Sequence, residues 1–241
     1  MAPMKRVLNV GGNSKAIALP APYAGWEQVL LDIDPGGAPD IVCDARELHS
    51  LPAQQFDAVY CSHNLEHFHR HEVPRVLQGF VHVLRPDGFV HLRVPDLGAV
   101  MREVQSRGLD LEDVLYTSDA GPITVLDVLY GYGPEIERSG QPYFAHKTGF
   151  TARSLARVVK QAGLRHLFVA TASFEVMCLA FLKEPDPPTR QAFGLPATPV
   201  LAQAKTLKIS HQFPGGTIDE GDFRDRMVRR FAAEVEKQTK G

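Results

Sequence analysis

The sequence predicts an α/β fold: a Rossmann-like doubly wound sheet, mostly parallel, with an antiparallel final strand, a helical insert and a C-terminal helical extension. Three observations predict it. Short apolar runs alternate with helix-patterned segments through roughly the first three quarters of the chain, which is the signature of βαβ units. A glycine-rich turn, Gly11-Gly12-Asn13, follows the first of those runs. The next two runs end at Asp32 and Asp44, and the carboxyl ends of strands are where open α/β sheets bind ligands.

Taken in order, residues 7–10 form the first strand and 11–13 the turn after it. Residues 14–19 are expected as a short helix, stopped near Pro20 and Pro22, where the ring removes an amide donor. Further strands are expected at 29–31, 41–43 and 56–61. Between 72 and 84, Val73, Val76, Leu77, Phe80 and Leu84 recur at helical spacing. Arg85-Pro86-Asp87-Gly88 makes a turn into a fifth strand at 89–94. Residues 97–150 are less regular and carry Tyr116, Tyr130, Tyr132 and Tyr143. Short helices are expected there at 97–107, 109–116 and 123–130. Thr151 is a good N-cap for a helix running to Ala162, and Gly163 is its stop. Residues 165–170 and 174–182 are two strands with a tight connection, hence antiparallel.

Pro185, Pro187, Pro188, Pro196 and Pro199 crowd the next stretch, which predicts a linker. Thr217-Ile218-Asp219-Glu220 matches a capping box. The helix behind it would carry Phe223, Met227, Phe231 and Val235 on one stripe, buried on the domain or, alternatively, in a homodimer contact. The division expected is a domain over 1–183, with the insert 97–150 as pocket wall and lid, and a linker plus amphipathic helix over 184–241.

Composition narrows the partners. The 241 residues suit one α/β domain with an extension, and 44% hydrophobic with 22% charged residues is ordinary for a globular protein. Acidic residues (28) and basic residues (26) nearly cancel, and no basic stripe is present, so a nucleic-acid partner is not expected. A small-molecule or glycan partner is favoured. Cys43, Cys61 and Cys178 are odd in number and lack CxxC spacing, which predicts free thiols in a reducing compartment. The first ten residues lack signal-peptide character and no apolar run approaches a membrane span. The expectation is a cytoplasmic protein with no membrane partner.

The residues at the strand ends point to a nucleoside-bearing ligand. Gly11 and Gly12 let the backbone turn sharply and approach a ligand without a Cβ, and Asn13 tolerates positive φ. Asp32 stands 21 positions after Gly11 and can accept hydrogen bonds from a ribose diol, with Asp34 as the alternative or a turn cap. Asp44, before Ala45, can accept from an exocyclic adenine amine. Lys15 and Ala16 break the strict GxGxxG pattern, which argues against a nicotinamide dinucleotide.

Together these segments resemble the class I S-adenosylmethionine (SAM) dependent methyltransferases. Val7-Leu8-Asn9-Val10-Gly11-Gly12-Asn13 is similar to their first motif, Leu31-Asp32-Ile33-Asp34 to the second acidic motif and Cys43-Asp44-Ala45 to the third. Residues 56–67 resemble their fourth strand and the helix after it, and Leu84-Arg85-Pro86-Asp87-Gly88-Phe89 their later turn. The resemblance implies SAM as cofactor. Gly11 and Gly12 would lie at its methionine part, Asp32 at the ribose, Asp44 and Ala45 at the adenine, and Ser62 and His63 near the sulfonium, with Asn9 and Ile33 also counted among the cofactor-binding residues. Asn9 stands where an acid is common, and Asn13 and Lys15 replace two glycines of the fuller motif. The Asn/Asp-Pro-Pro-aromatic motif of many amino-group methylases is absent after the fourth strand, which argues against a nucleic-acid adenine or glutamine acceptor. With the first strand so near residue 1, cover for the cofactor is expected from 97–150 and 184–241.

The activity so implied is methyl transfer to an oxygen or nitrogen of a small molecule or sugar. The expected bases are His67 and His146, since imidazole titrates near neutrality. Tyr130, Tyr132 and Tyr143 are expected to wall the acceptor pocket. Two other classes stand beside this reading. One is a non-catalytic SAM-binding or scaffold protein, since fold alone does not establish activity. The other is a zinc hydrolase: His63-Asn64-Leu65-Glu66-His67 matches HxxEH, and on a helix His63 and His67 would share a face with Glu66 as base. The SAM-type series around it favours no metal.

Overall fold

The computed structural model describes residues 4–12, 14–118 and 121–196. Its centre is a seven-stranded sheet. β1 (Arg6–Val10), β2 (Glu27–Asp32), β3 (Ile41–Val42), β4 (Phe56–Ser62) and β5 (Leu84–Pro95) are mutually parallel. A separate hairpin, β6 (Val114–Ser118) with β7 (Gly121–Thr124), lies outside the sheet. β8 (His166–Ala172) and β9 (Glu175–Phe181) complete it, in the order β3-β2-β1-β4-β5-β9-β8. β9 runs antiparallel to both its neighbours, β5 and β8. This is the Rossmann-like arrangement the sequence predicts, and the order reverses at β1, placing a crevice between the ends of β1 and β4.

Among the described residues, six helices accompany the strands: α1 (Val73–Val83), α2 (Leu97–Arg107), α3 (Val125–Tyr130), α4 (Gly133–Ser139), α5 (Ala152–Gln161) and α6 (Pro187–Ala192). The apolar stripe expected in α1 buries Val73, Val76, Leu77, Phe80 and Val83 on one sheet face, beside Leu155 and Val159 of α5. Full burial of each such side chain contributes roughly 1.5–3 kcal/mol. Thr151 caps α5 in a reciprocal box with Ser154. The opposite face carries Val7, Tyr23, Ala58, Tyr60, Phe89 and Phe181, with Trp26 and Phe193 packed on them.

Four local expectations are corrected. Residues 14–19 form turns, not a helix, and the described part of the β1–β2 connection contains a single 3-10 turn at Ala21–Tyr23. Of this segment Leu19 packs on the sheet core while Ile17 stays exposed, so no apolar stripe holds a helix there. Residues 109–116 are not a helix: Val114, Leu115, Tyr116 and Thr117 enter β6, because β-branched and aromatic side chains suit a paired strand. Residues 123–130 divide between β7 and α3, with Thr124 and Asp127 forming the capping box at the break. Finally, residues 184–196 are not a free linker. Asp186 caps α6, prolines occupy its first turn where no amide donor is needed, and Phe193 and Leu195 pack under the sheet. The compact unit therefore extends past residue 183. The expected helix with Phe223, Met227, Phe231 and Val235, and its dimer contact, lie outside the described residues.

The turn at Arg85-Pro86-Asp87-Gly88 is absorbed into β5 as a bulge. Phe56 pairs with Leu84 and Ala58 with Phe89, so four residues loop out opposite one. No helix among the described residues is long and apolar enough to cross a membrane.

Candidate functional site

Two cavities open beside each other at the carboxyl ends of β1, β2, β4 and β5. The first, of about 450 Å³, is lined among others by Gly11, Asp32, Ile33, Asp44, Ala45 and His63. The glycine turn is held in place by its neighbours. Gly11 sits at φ +72° and donates its amide to the Leu31 carbonyl at 2.8 Å. A Cβ on Gly11 would collide with the Asn64 side chain, and one on Gly12 with the Asn9 amide. Asn9 is buried beneath the turn and reaches neither cavity; Gly12 and Ser62 line neither. The structure thus brings six of the nine expected cofactor residues to the lining of one cavity and leaves the other three out of it.

The acidic residues are already part of a hydrogen-bonded rim. Asp32 accepts from the Asp34 amide at 2.9 Å, and Asp34 caps the following 3-10 turn through the Gly36 amide. Asp44 accepts from the Arg46 amide at 2.9 Å and from Arg46 Nη2 at 2.5 Å. Arg46 also reaches Glu72. Burial works to raise the Asp44 carboxyl, but the Arg46 contacts outweigh it and hold it below the usual range. An adenine amine meeting Asp44 would share it with Arg46, a partner with no signature in the sequence because it arises from a capping turn.

The second cavity, of about 350 Å³, is lined by residues including Arg93, Tyr116, Asp127, Tyr132, His146 and Glu175. His63 and Tyr132 face both cavities. The tyrosine expectations divide. Tyr132 stands at the junction. Tyr143 faces the first cavity and not the second, and burial and Asp34 raise the pKa of its hydroxyl. Tyr130 is 62% exposed and lines neither cavity, because its position on α3 points away from both. The aromatic wall of the second cavity is instead Tyr116 stacked on Phe174, at 5.6 Å between ring centres.

Between the cavities lies a charged chain. His63 adopts φ +49°, an uncommon backbone for a side-chain-bearing residue. Its Nε2–H donates to Glu175 at 2.6 Å, and Glu175 also accepts from Arg93. Burial lowers the His63 pKa, yet the carboxylates of Glu175 and Glu66 outweigh it and raise it to about 9. Hydrogen bonding from His63, with Arg93, lowers Glu175 to about 2 against the effect of burial. Sequence reasoning missed Arg93 and Glu175: nothing in either strand's local pattern signals that β9 returns beside β5.

His67 and His146 meet across the insert, their ring centres 4.8 Å apart. The Lys147 and Thr148 amides both donate to the Glu66 carbonyl, which pins the returning insert against the 3-10 turn Leu65–His67. Nδ1–H of His67 donates to the Ala145 carbonyl at 3.2 Å and Nδ1–H of His146 to the Val128 carbonyl at 2.9 Å. A carbonyl only accepts, so each neutral ring keeps its lone pair at Nε2. Burial pushes the His67 pKa down. The HxxEH reading needs His63 and His67 on one helix face. The strand ends at Ser62 and only a 3-10 turn comes after it, with His63 turned to Glu175, so that geometry does not form.

Residues 2–167 match a methyltransferase-domain family. Among solved structures, a SAM-dependent methyltransferase from Archaeoglobus fulgidus is 16% identical at a TM-score of 0.46, over 74% of this chain and 86% of that one. A Burkholderia thailandensis 1,6-didemethyltoxoflavin-N1-methyltransferase, with bound 1,6-didemethyltoxoflavin and S-adenosylhomocysteine, is 17% identical at a TM-score of 0.44, over 74% of this chain and 71% of that one. A curated solute-binding protein from Albidiferax ferrireducens is 70% identical over 50 residues, which is 21% of this chain and 15% of that protein's length.

Proposed function

Because the chain belongs to the SAM-dependent methyltransferases, with SAM as its cofactor, we propose that it methylates an oxygen or nitrogen of a small molecule or sugar, with the cofactor in the first cavity and the acceptor in the second. The observation that carries the placement is the Gly11 turn. Its positive φ and the Asn64 side chain packed where a Cβ would stand make a cradle only glycine can form, one strand away from Asp32. The bound cofactor supplies an electrophilic methyl group on a sulfonium.

The protein's own contribution is positional. Gly11 admits the ligand close to the backbone, Asp32 accepts from the ribose hydroxyls, and Asp44, shared with Arg46, borders the adenine side with Ala45. His63, held by Glu175, stands where the two cavities join. Tyr116, Phe174 and Tyr132 orient the acceptor, and holding two reactants in line accounts for much of the acceleration such transfers need. His146 presents its Nε2 lone pair in the second cavity and His67 presents one from the first, and these are the groups available to activate the acceptor. The balanced charge of the chain supports a small-molecule or glycan acceptor over a nucleic acid.

Calorimetry with SAM and S-adenosylhomocysteine tests the cofactor placement. Micromolar binding that Asp32→Ala weakens by about tenfold or more supports it, since loss of charged hydrogen bonds costs ~1.5–3 kcal/mol. Unchanged affinity in Asp32→Ala sends the ribose elsewhere. With binding established, acceptors screened by class should turn over, and Tyr116→Ala should raise KM for the acceptor alone.

A further inference from the structure

We propose that Glu66, His67 and His146 form a site for one divalent transition-metal ion at the junction of the two cavities. One ligand atom from each residue lies within 4.8 Å of the others. Two further observations point to a cation there. Both histidines fix their Nδ1–H on backbone carbonyls, Ala145 and Val128, so each aims an Nε2 lone pair outward; that outer-sphere arrangement is typical of metal-bound imidazole. And Glu66 is 1% exposed, with neither carboxylate oxygen accepting a hydrogen bond among the described residues.

A buried carboxylate without donors is costly, and it needs a proton or a cation. His63 is the nearest charged candidate, but its Nδ1 stands 3.6 Å from Glu66 while its Nε2 is committed to Glu175 at 2.6 Å. An ion held by two imidazoles and one carboxylate satisfies all three residues at once. This donor set favours zinc, iron, manganese or cobalt over magnesium or calcium, which prefer oxygen. Donors around such an ion stand at about 2.0–2.2 Å from it, so the three side chains close by an ångström or so on binding. The Glu66 side chain has the rotations to do this.

The site is built by the insert. Its return segment is pinned to the Glu66 carbonyl by two amides, which is what brings His146 to His67 across 79 positions. Three protein ligands leave coordination positions open, with His67 lining the first cavity and His146 the second. The role of the ion rests on the proposed acceptor placement: an acceptor hydroxyl bound there would lose its proton to solvent water more readily, because a coordinated oxygen is more acidic. The histidines then act as ligands, since an Nε2 lone pair given to a metal cannot also take a proton.

Elemental analysis of protein purified without chelator, then chelator treatment and titration with cobalt(II) read by visible absorption, tests the site. Uptake of one equivalent, with bands of a four- or five-coordinate ion, is the expected result. His146→Ala and Glu66→Gln should each weaken uptake by about tenfold or more. His146→Ala keeps the test valid if the buried Glu66→Gln change unfolds the protein. Calorimetry with S-adenosylhomocysteine on the same samples separates this site from the cofactor reading: His146 lies outside the first cavity, so its variant should bind the nucleoside as the parent does. Substoichiometric metal and no cobalt bands in folded parent protein, or uptake unchanged in His146→Ala, would overturn the proposal.

Discussion

The sheet half and the insert half of the molecule meet the same site by different means. The sheet half presents Gly11, Asp32 and Asp44 from the ends of adjacent parallel strands: the first two are set by the register of the buried β1–β2 ladder, and Asp44 follows the short edge strand β3, whose continuation is held by the Cys43 amide on the Asp32 carbonyl. The insert half presents Tyr116, Asp127, Tyr132 and His146 from a two-stranded hairpin, two short helices and a return segment, around a small separate core of Val100, Leu115, Ile123, Val125 and Val128. One half positions through a shared lattice of strands, and the other through local caps and a few pins. Under the proposed placement, the cofactor contacts sit mainly on the rigid element and the acceptor contacts on the element easiest to vary.

The largest expected difference is in stability. Leu77 is fully buried in the large core, and Leu77→Ala should cost ~2–5 kcal/mol by lost burial and cavity formation. Val100→Ala, in the insert core, should cost less, about 1–2 kcal/mol. Hydrogen exchange would show the contrast: Leu77→Ala should loosen amides across the sheet, Val100→Ala those of the insert only. Global loosening by both would mean that the halves are one cooperative unit.

Next is Gly11→Val, which sets a Cβ against Asn64 and forces a side chain into positive φ. It should weaken S-adenosylhomocysteine binding by about 100-fold or more, since overpacking and strain together reach ~3 kcal/mol. Near-parental affinity in the folded variant would move the cofactor off this turn.

Acid should act first on the sheet half. His91 of β5 is buried beside Tyr23, and burial, with the charge of Arg93, lowers its pKa from 6.5 to about 4. Below pH 6.5 the unfolded chain takes a proton that the folded chain refuses until about pH 4, so stability falls as pH drops through that window. The loss attributable to this group is on the order of 3 kcal/mol. Urea midpoints measured across the window should show a shallower slope in His91→Gln, and an identical slope would mean that His91 is not the group responsible.

The smallest effect is expected at the insert surface of the second cavity. Tyr116→Phe keeps the stack on Phe174 and removes one hydroxyl. Acceptor KM should change by about 2- to 10-fold, the value of one hydrogen bond, with nucleoside affinity unchanged. A change in nucleoside affinity instead would break the division between the halves.

The same contrast governs how much of the molecule is legible in the sequence. The strands of the sheet are legible because buried parallel strands are continuous apolar runs, and the glycine turn and Asp32 because their positions derive from strand ends. The pairings that complete the site are not. Arg46 on Asp44 comes from a capping turn, Glu175 on His63 from the return of β9, and His146 beside His67 from two amides that meet the Glu66 carbonyl. Each depends on where a connection comes back in space. In the insert, helical spacing at 109–116 competes with β-forming side chains, and tertiary pairing decides for the strand. Tyr130, Tyr132 and Tyr143 are close in sequence, yet short helices with intervening glycines turn the three in different directions.

The insert leaves and rejoins the sheet at a single point. Asp96 bridges to Phe150, the Leu97 amide donates to the Phe150 carbonyl at 2.9 Å, and Gly149 has no Cβ where the Leu97 side chain crosses it. A segment whose ends already touch can be exchanged at an entropic cost that grows only with the logarithm of its length. The 97–149 segment is therefore a cassette: a related chain could be grafted between Asp96 and Phe150 to change the walls of both cavities, while the ladder beneath and the Gly11 turn keep their shape.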